Sequence, residues 1–107
     1  MDRISDEDVV MRLIVPSGQA RSAALTAITE AREGRFEDAR SKLGEAHGFL
    51  NQAHELQSEI IRQELNDGSR SEVSLIMAHG QDHLMSATTI CDLAGQMIEI
   101  LASITTP

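Results

Sequence analysis

Apolar residues recur along this chain at alternating steps of three and four, which is the spacing of one face of an α-helix. Three stretches carry the pattern, and they predict helices over about residues 5–33, 36–66 and 71–103. Only Gln57 departs from the pattern in the second stretch, whose apolar positions are Phe36, Ala39, Leu43, Ala46, Leu50, Ala53 and Ile60. Each helix would be roughly 45 Å long at the usual rise per residue.

Capping and turn residues delimit the predicted helices. Ser5 is followed by three acidic residues and is a suitable N-cap for the first helix, and Gly34 is the expected stop. The sequence Asn66-Asp67-Gly68 is a strong turn signal. The third helix is expected to begin after it, near Ser69 or Ser71.

The order of these elements predicts the fold class. Both connections are short, so neighbouring helices should run antiparallel. Pro16 is expected to kink or locally break the first helix. The composition also favours helices, since the chain has two Phe, no Trp and no Tyr. We therefore expect an all-α fold, an antiparallel up-down-up three-helix bundle, in a single domain that spans the 107 residues.

The third predicted helix is apolar over more of its circumference than a lone three-helix bundle needs. A coiled-coil-like seam contains Ile76, Gly80, His83, Ala87, Ile90, Ala94, Met97, Leu101 and Ile104. A second stripe contains Met77, Leu84, Cys91 and Ile98, and a third contains Leu75, Asp82, Leu93 and Ile100. Together they cover roughly 220° of the helix, which predicts self-association. Cys91 is the single cysteine, and its place in a stripe favours packing over reactivity.

Charge and composition exclude several kinds of partner. The net charge is −8, with one lysine in the chain, so a phosphate backbone or an anionic lipid surface is not an expected partner. The near absence of aromatic residues removes platforms for base stacking. There is no apolar leader and no run of about 18 apolar residues. We therefore expect a cytoplasmic protein that does not insert into a membrane or bind nucleic acid.

The stretch most capable of chemistry lies on the third helix and reads His79-Gly80-Gln81-Asp82-His83-Leu84-Met85. His79 and His83 are four residues apart, so they project from one helix face, with Asp82 close to it. Taken alone, such a pair is more often a packing or surface feature. It could also bind zinc, although the glutamate of the zinc-protease motif is missing. His47 and His54 are interpreted as structural or surface groups.

Asp82 is unusual because it shares a stripe with Leu75, Leu93 and Ile100. An unpaired carboxylate is costly on an apolar surface that becomes buried. If copies of the third helix meet at a symmetry axis, several Asp82 carboxylates converge there and must take up protons or bind a cation. A hard divalent ion with oxygen ligands would satisfy them.

These residues resemble those of the enzyme IIA components of the lactose/cellobiose (chitobiose) class of the bacterial phosphoenolpyruvate-dependent sugar phosphotransferase system. The likeness is strongest over residues 79–85, where that family more often has alanine at the position of Gly80. It extends over nearly the whole chain. Further matching segments are Gly18-Gln19-Ala20-Arg21-Ser22, Gly34-Arg35-Phe36 with Ala39, and Ala53-His54 with Gln57.

The resemblance implies a three-helix bundle that trimerises into a nine-helix bundle. It implies that His79 is phosphorylated and that His83 and Gln81 orient His79 or contact the phosphoryl group. It also implies that Asp82 from three subunits holds one divalent cation per trimer, usually Mg²⁺. The implied phosphoryl donor is the histidine-containing phosphocarrier protein. The implied acceptor is an enzyme IIB, which phosphorylates sugar during transport through the membrane enzyme IIC.

The residue types suit that chemistry. A neutral imidazole is nucleophilic near pH 7 and can hold a phosphoryl group, and a second imidazole one turn along can donate a hydrogen bond to it. Gly80 is expected to leave open space beside His79, so that a partner's backbone could approach closely. The competing function is a helical metal-binding assembly or adaptor module without phosphotransfer.

Overall fold

The computed structural model describes residues 4–67 and 73–105, which form a bundle of three long helices. The first helix is continuous but has three parts: α1 (Asp6–Val9), a π-helical turn called here the π segment (Val10–Ile14), and α2 (Val15–Arg32). The second helix is α3 (Phe36–Asp67) and the third is α4 (Leu75–Thr105). The molecule measures 59 × 21 × 20 Å.

Ion pairs between helices show the order in which they run. Arg12 in the π segment pairs with Glu59 on α3 at 3.0 Å, near the end of that helix. Arg40, near the start of α3, pairs with Glu99 on α4 at 3.4 Å. The start of the first helix therefore lies beside the end of α3, and the start of α3 lies beside the end of α4. The prediction of an antiparallel up-down-up bundle is confirmed.

The predicted ends of the first helix are confirmed in atomic detail. Ser5 Oγ accepts from Asp8 N at 3.1 Å, and Asp8 Oδ2 accepts from Ser5 N at 3.2 Å, which is a capping box. At the other end Gly34 has φ +83°, a conformation that glycine adopts without steric cost. Gly34 N donates to Ala31 O at 3.0 Å, and Arg35 N donates to Glu30 O at 2.9 Å, as in a Schellman motif.

Pro16 distorts the first helix but does not break it. The helix widens into the π segment directly before α2, and Pro16 lies in the first turn of α2. A proline has no N–H, and its ring collides with the carbonyl four residues earlier. The π segment re-spaces the preceding carbonyls by one residue, so the chain passes Pro16 while remaining helical.

The third helix begins later than predicted. Residues 73–74 are not helical, and Ser74 Oγ accepts a hydrogen bond of 3.0 Å from Met77 N, so Ser74 is the N-cap of α4. The predicted starts at Ser69 and Ser71 lie outside the described residues, and in the described part of the chain the helix begins at Leu75. The helix ends at Thr105, two residues beyond the predicted end.

Alanines line much of the interface between the helices, and their small side chains let the backbones approach closely. The alanines with almost no exposed surface are Ala20, Ala24, Ala27, Ala31, Ala39, Ala46, Ala53, Ala87 and Ala94. The larger apolar side chains that are fully buried are Val9, Leu13, Leu56, Leu84, Cys91 and Ile98. The result is a thin, closely packed core along the whole bundle.

The buried side of α4 differs from the predicted seam. It consists of Gly80, Leu84, Ala87, Cys91, Ala94 and Ile98, which belong to two of the predicted stripes. Met97 and Ile104 of the seam are exposed. The reason is that α4 packs against both the first helix and α3, so its buried side points between them. The thiol of Cys91 lies 3.9 Å from Ala20 O in this core, which confirms its packing role.

An apolar surface remains on the opposite side of α4. We call it the outer stripe, and it consists of Leu75, Asp82, Leu93 and Ile100; the three apolar members are 86%, 54% and 58% exposed. By length and composition α4 would also qualify as a membrane span. That is weak support for insertion, because a core helix of a bundle passes the same criterion and α4 packs against both other helices.

Candidate functional site

The imidazoles of His79 and His83 are in contact at the surface of α4, one helical turn apart. Their Nε2 atoms are 3.0 Å apart. The rings meet edge to face, with centroids separated by 4.4 Å and planes inclined by 78°. His79 is exposed, whereas His83 is half-buried. The structure therefore brings these two candidate residues together and leaves one of them open to a partner.

This contact links the tautomers of the two neutral rings. At hydrogen-bond distance one Nε2 must carry hydrogen and the other must present its lone pair. Two arrangements of the neutral pair satisfy this condition. In the first, His83 Nε2 donates to the lone pair of His79 Nε2. In the second, His79 Nε2 donates to His83 Nε2, and the lone pair of His79 lies on its Nδ1. In both, His79 retains one unprotonated, nucleophilic nitrogen.

Asp82 is exposed on the outer stripe, roughly 60° around the helix from His79. Among the described residues, no group of three or more His, Cys, Asp or Glu side chains is placed to hold a metal ion. A metal at Asp82 would therefore need ligands from other copies of the chain or from solvent. The carboxylate itself is the ligand type that a hard divalent cation prefers.

Gln81 is directed towards α3 and not towards the histidine pair. Its Oε1 accepts a hydrogen bond of 3.0 Å from Gln57 Nε2, and its Nε2 lies 4.0 Å from Met77 Sδ. Gln57 Oε1 is in turn 3.2 Å from His54 Nδ1. Since the Gln57 amide nitrogen donates to Gln81, the Gln57 oxygen is the acceptor and His54 Nδ1 carries the hydrogen. The side chain of Gln81 is thus held in a half-buried chain of hydrogen bonds.

Gly80 does not leave open space, contrary to the expectation from its sequence position. It is buried, and a Cβ at this position would lie 2.7 Å from Leu13 Cδ2 and 3.0 Å from Val9 Cγ1. The first helix occupies the space that a side chain would need. The error has a simple cause, because 80 follows 79 by 100° around the helix and so turns from the exposed side to the core.

Three residues near the site were missed by the sequence analysis as functional candidates. Gln57 donates to the Gln81 amide and is itself bonded to His54, and Leu13 covers Gly80. A signal existed for Gln57, since it is the one polar residue that interrupts the apolar pattern of the second helix. No comparable signal marked Leu13, which is an ordinary apolar residue in an amphipathic helix.

Comparison with known proteins gives a consistent assignment. The family model for the lactose/cellobiose-specific IIA subunit of the phosphotransferase system (PTS) matches residues 8–102. The lichenan-specific phosphotransferase enzyme IIA component of Bacillus subtilis (strain 168) is 41% identical over 99 residues, which cover 92% of this chain and 89% of that protein.

Solved structures share the fold along nearly the whole chain. The PTS cellobiose-specific enzyme IIA from Bacillus anthracis superposes with a TM-score of 0.86 at 34% identity, over 96% of this chain and 94% of that one. IIA(Chitobiose) of the Escherichia coli phosphotransferase system, solved in complex with HPr, superposes with a TM-score of 0.81 at 35% identity, over 95% and 98%. This chain therefore belongs to the lactose/cellobiose-specific IIA family of the phosphotransferase system.

Proposed function

We propose that this protein is a phosphoryl carrier of the phosphoenolpyruvate-dependent sugar phosphotransferase system. It accepts the phosphoryl group on His79 from the histidine-containing phosphocarrier protein (HPr) and passes it to an enzyme IIB, which serves a membrane enzyme IIC. The observation that carries this proposal is the exposed imidazole of His79 with its Nε2 held 3.0 Å from that of His83. An accessible nucleophile and an adjacent donor are what such a transfer requires.

The transfer exchanges one phosphorus–nitrogen bond for another. The lone pair of a neutral His79 nitrogen attacks phosphorus on the phosphohistidine of HPr. The old phosphorus–nitrogen bond breaks, and its electron pair returns to the imidazole of HPr, which leaves neutral. In each phosphohistidine, the ring nitrogen that is not bonded to phosphorus carries a hydrogen. The transfer therefore releases no net proton. In the second transfer a nucleophile of enzyme IIB attacks phosphorus, and the electron pair returns to His79.

The tautomer of the histidine pair decides whether Nε2 or Nδ1 of His79 attacks phosphorus. When His83 Nε2 donates to His79 Nε2, it occupies the single lone pair of that nitrogen, so this hydrogen bond must open before Nε2 can attack. After transfer, the N–H of His83 is close to the bound phosphoryl group and can donate to one of its oxygens. Such donors stabilise the charge on the equatorial oxygens during transfer.

Gln81 is the second residue that we propose to assist. Its Oε1 accepts a hydrogen bond from Gln57, and its Nε2 is a donor. The sulfur of Met77 at 4.0 Å is only a weak acceptor. Because the amide faces α3 and not the histidine pair, we propose that Gln81 assists by holding the turn of α4 that carries His79 against α3.

We propose that the protein is a homotrimer in which the third helices of three subunits meet to form a nine-helix bundle. The outer stripe supports this arrangement, because three large apolar side chains on one helix face are otherwise left in water. Asp82 lies in the same stripe, so three carboxylates would face one another at the axis. A divalent cation, Mg²⁺ being the expected one, would neutralise their charge there.

We place the protein in the cytoplasm, beside the membrane component that it serves indirectly. The apolar surface of α4 is then covered by copies of the chain and not by lipid.

A helical metal-binding assembly or adaptor without phosphotransfer is the alternative function, because the outer stripe and Asp82 would serve it equally well.

Incubation with phosphoenolpyruvate, enzyme I and HPr, followed by intact-mass measurement, separates the two functions. We expect a gain of one phosphoryl group that is lost on acid treatment, as a phosphoramidate requires. Omitting HPr should abolish the gain. A protein that remains unmodified in the complete mixture would support the metal-binding assembly instead.

A further inference from the structure

The first helix contacts the backbone of α4 directly at Gly80, the residue after His79. A Cβ on Gly80 would lie 2.7 Å from Leu13 Cδ2, 3.0 Å from Val9 Cγ1 and 3.4 Å from Ile14 Cγ1. Ordinary contacts of a Cβ atom lie at 3.4–4 Å. The side chain of Leu13 therefore rests on the Gly80 backbone, in space that the side chain of any other residue would need.

Neither of the two nearest side chains can easily move aside. Leu13 is 0% exposed and Val9 is 1% exposed, so both are enclosed by the core. Val9 is also β-branched, which restricts rotation about its first side-chain bond. In a closely packed core an added methyl group is accommodated by moving neighbouring elements. The contact between Leu13 and Gly80 consequently sets the separation between the π segment and the first turns of α4.

We propose that Leu13 is a positioning residue for phosphoryl transfer, acting through Gly80 on the location of His79. The inference rests on the function proposed above. His79 and Gly80 belong to the same helical turn, so a displacement of Gly80 carries His79 with it. The location of His79 sets its alignment with the phosphorus atom of the donor. In-line transfer depends on that alignment, and a displacement of about 1 Å can slow a reaction by roughly 100-fold.

Two glycine-to-alanine substitutions on α4 provide a matched test. At Gly80 the new methyl group collides with Leu13, whereas at Gly95 it would lie 3.6 Å from Leu43 Cδ2, an ordinary contact. Both substitutions remove the same backbone freedom. We expect Gly80→Ala to slow transfer from phosphorylated HPr about tenfold or more at saturating HPr, with KM nearly unchanged. Gly95→Ala should stay within about twofold of the parent rate.

A volume-conserving double substitution separates positioning from loss of stability. Leu13→Val removes one methylene equivalent from the same space that Gly80→Ala fills. We expect Leu13→Val alone to slow transfer and the double variant Leu13→Val/Gly80→Ala to recover to within about threefold of the parent. A double variant as slow as Gly80→Ala, or a Gly80→Ala protein that transfers at the parent rate, overturns the proposal. If Gly80→Ala does not fold, equal rates for Leu13→Val and the double variant overturn it.

Magnetic resonance of the unphosphorylated proteins gives a readout independent of transfer. The parent should show a nuclear Overhauser contact between the Leu13 methyl groups and the Gly80 Hα. The imidazole nitrogen resonances of His79 should shift in Gly80→Ala and return in the double variant, and Gly95→Ala should leave them in place. A parent protein that HPr cannot phosphorylate defeats the proposed function. If HPr phosphorylates the parent and Gly80→Ala at the same rate, only the positioning role of Leu13 is wrong, and the proposed function stands.

Discussion

Gln57 Nε2 on α3 donates a 3.0 Å hydrogen bond to Gln81 Oε1 on α4, inside the segment that carries the two adjacent histidines. The bond crosses from one helix to another and is half-buried. The same Gln57 side chain lies 3.2 Å from His54 Nδ1, so its amide orientation is determined at both ends. Two side chains of α3 thereby hold a residue that lies two positions from His79.

The first prediction concerns the strength of this link. Gln57→Leu should lower the free energy of unfolding by about 1 kcal/mol, because Gln81 Oε1 loses its donor while remaining half-buried. Adding Gln81→Leu should recover much of the loss, since both polar groups are then replaced together. Urea denaturation of the two single variants and the double variant measures the coupling. Strictly additive losses would mean that the bond contributes nothing to stability.

The second prediction identifies the phosphorylated residue. His79→Ala should abolish phosphorylation by HPr while leaving the fold intact, because His79 is exposed and its removal disturbs no core contact. His47→Ala is the matched control, since His47 is an exposed histidine on α3. Intact mass and circular dichroism of the two variants provide the measurement. Acid-labile phosphate on the His79→Ala protein would show that another residue accepts the group.

The third prediction separates His83 from His79. His83→Ala should still be phosphorylated, but transfer should slow by roughly 10- to 100-fold in at least one direction because a hydrogen-bond donor to the phosphoryl group is lost. Rapid-quench measurements with HPr and with enzyme IIB would give both rates. His54→Ala, which removes a histidine from the chain of hydrogen bonds on α3, serves as a comparison. Unchanged rates with both partners would exclude His83 from the site.

The fourth prediction concerns assembly. The protein should sediment as a trimer, and a chelator should weaken the trimer because three facing Asp82 carboxylates would then repel one another. Asp82→Leu should make assembly independent of metal, since well-packed apolar side chains can replace buried charges. Asp92→Leu makes the same substitution at an exposed acidic residue outside the outer stripe, and it should keep the response to chelator. A monomer under all conditions, or a trimer lost in Asp82→Leu alone, contradicts this arrangement.

The fifth prediction follows from the buried thiol. Burial, and to a smaller extent the charge of Asp92, raises the pKa of Cys91 above its ordinary value of 9.0. The folded protein then holds this proton more tightly than the unfolded chain does. The resulting stability is present below pH 9.0 and is lost as the pH rises above it. Urea denaturation should show a smaller alkaline loss of stability for Cys91→Ala than for the parent.

The order and extent of the helices could be predicted because the responsible interactions are local. Ser5 and Gly34 delimit the first helix through their own caps, and the periodic apolar residues of α3 specify its buried side. The contact between His79 and His83 was predictable for the same reason, since residues four apart on a helix are always neighbours. The late start of α4 was missed because Ser69, Ser71 and Ser74 are equally suitable N-cap residues, and the sequence pattern does not distinguish between them.

The surroundings of the site were decided only by the tertiary structure. Whether Gly80 faces open space or a neighbour depends on the direction from which the first helix approaches, and Leu13 reaches it through packing over 67 positions of separation in the chain. The link between Gln57 and Gln81 likewise depends on the register of α3 against α4. Periodicity gave α4 three apolar stripes, but which of them are buried, and against which partner, follows from how three helices fill a common core.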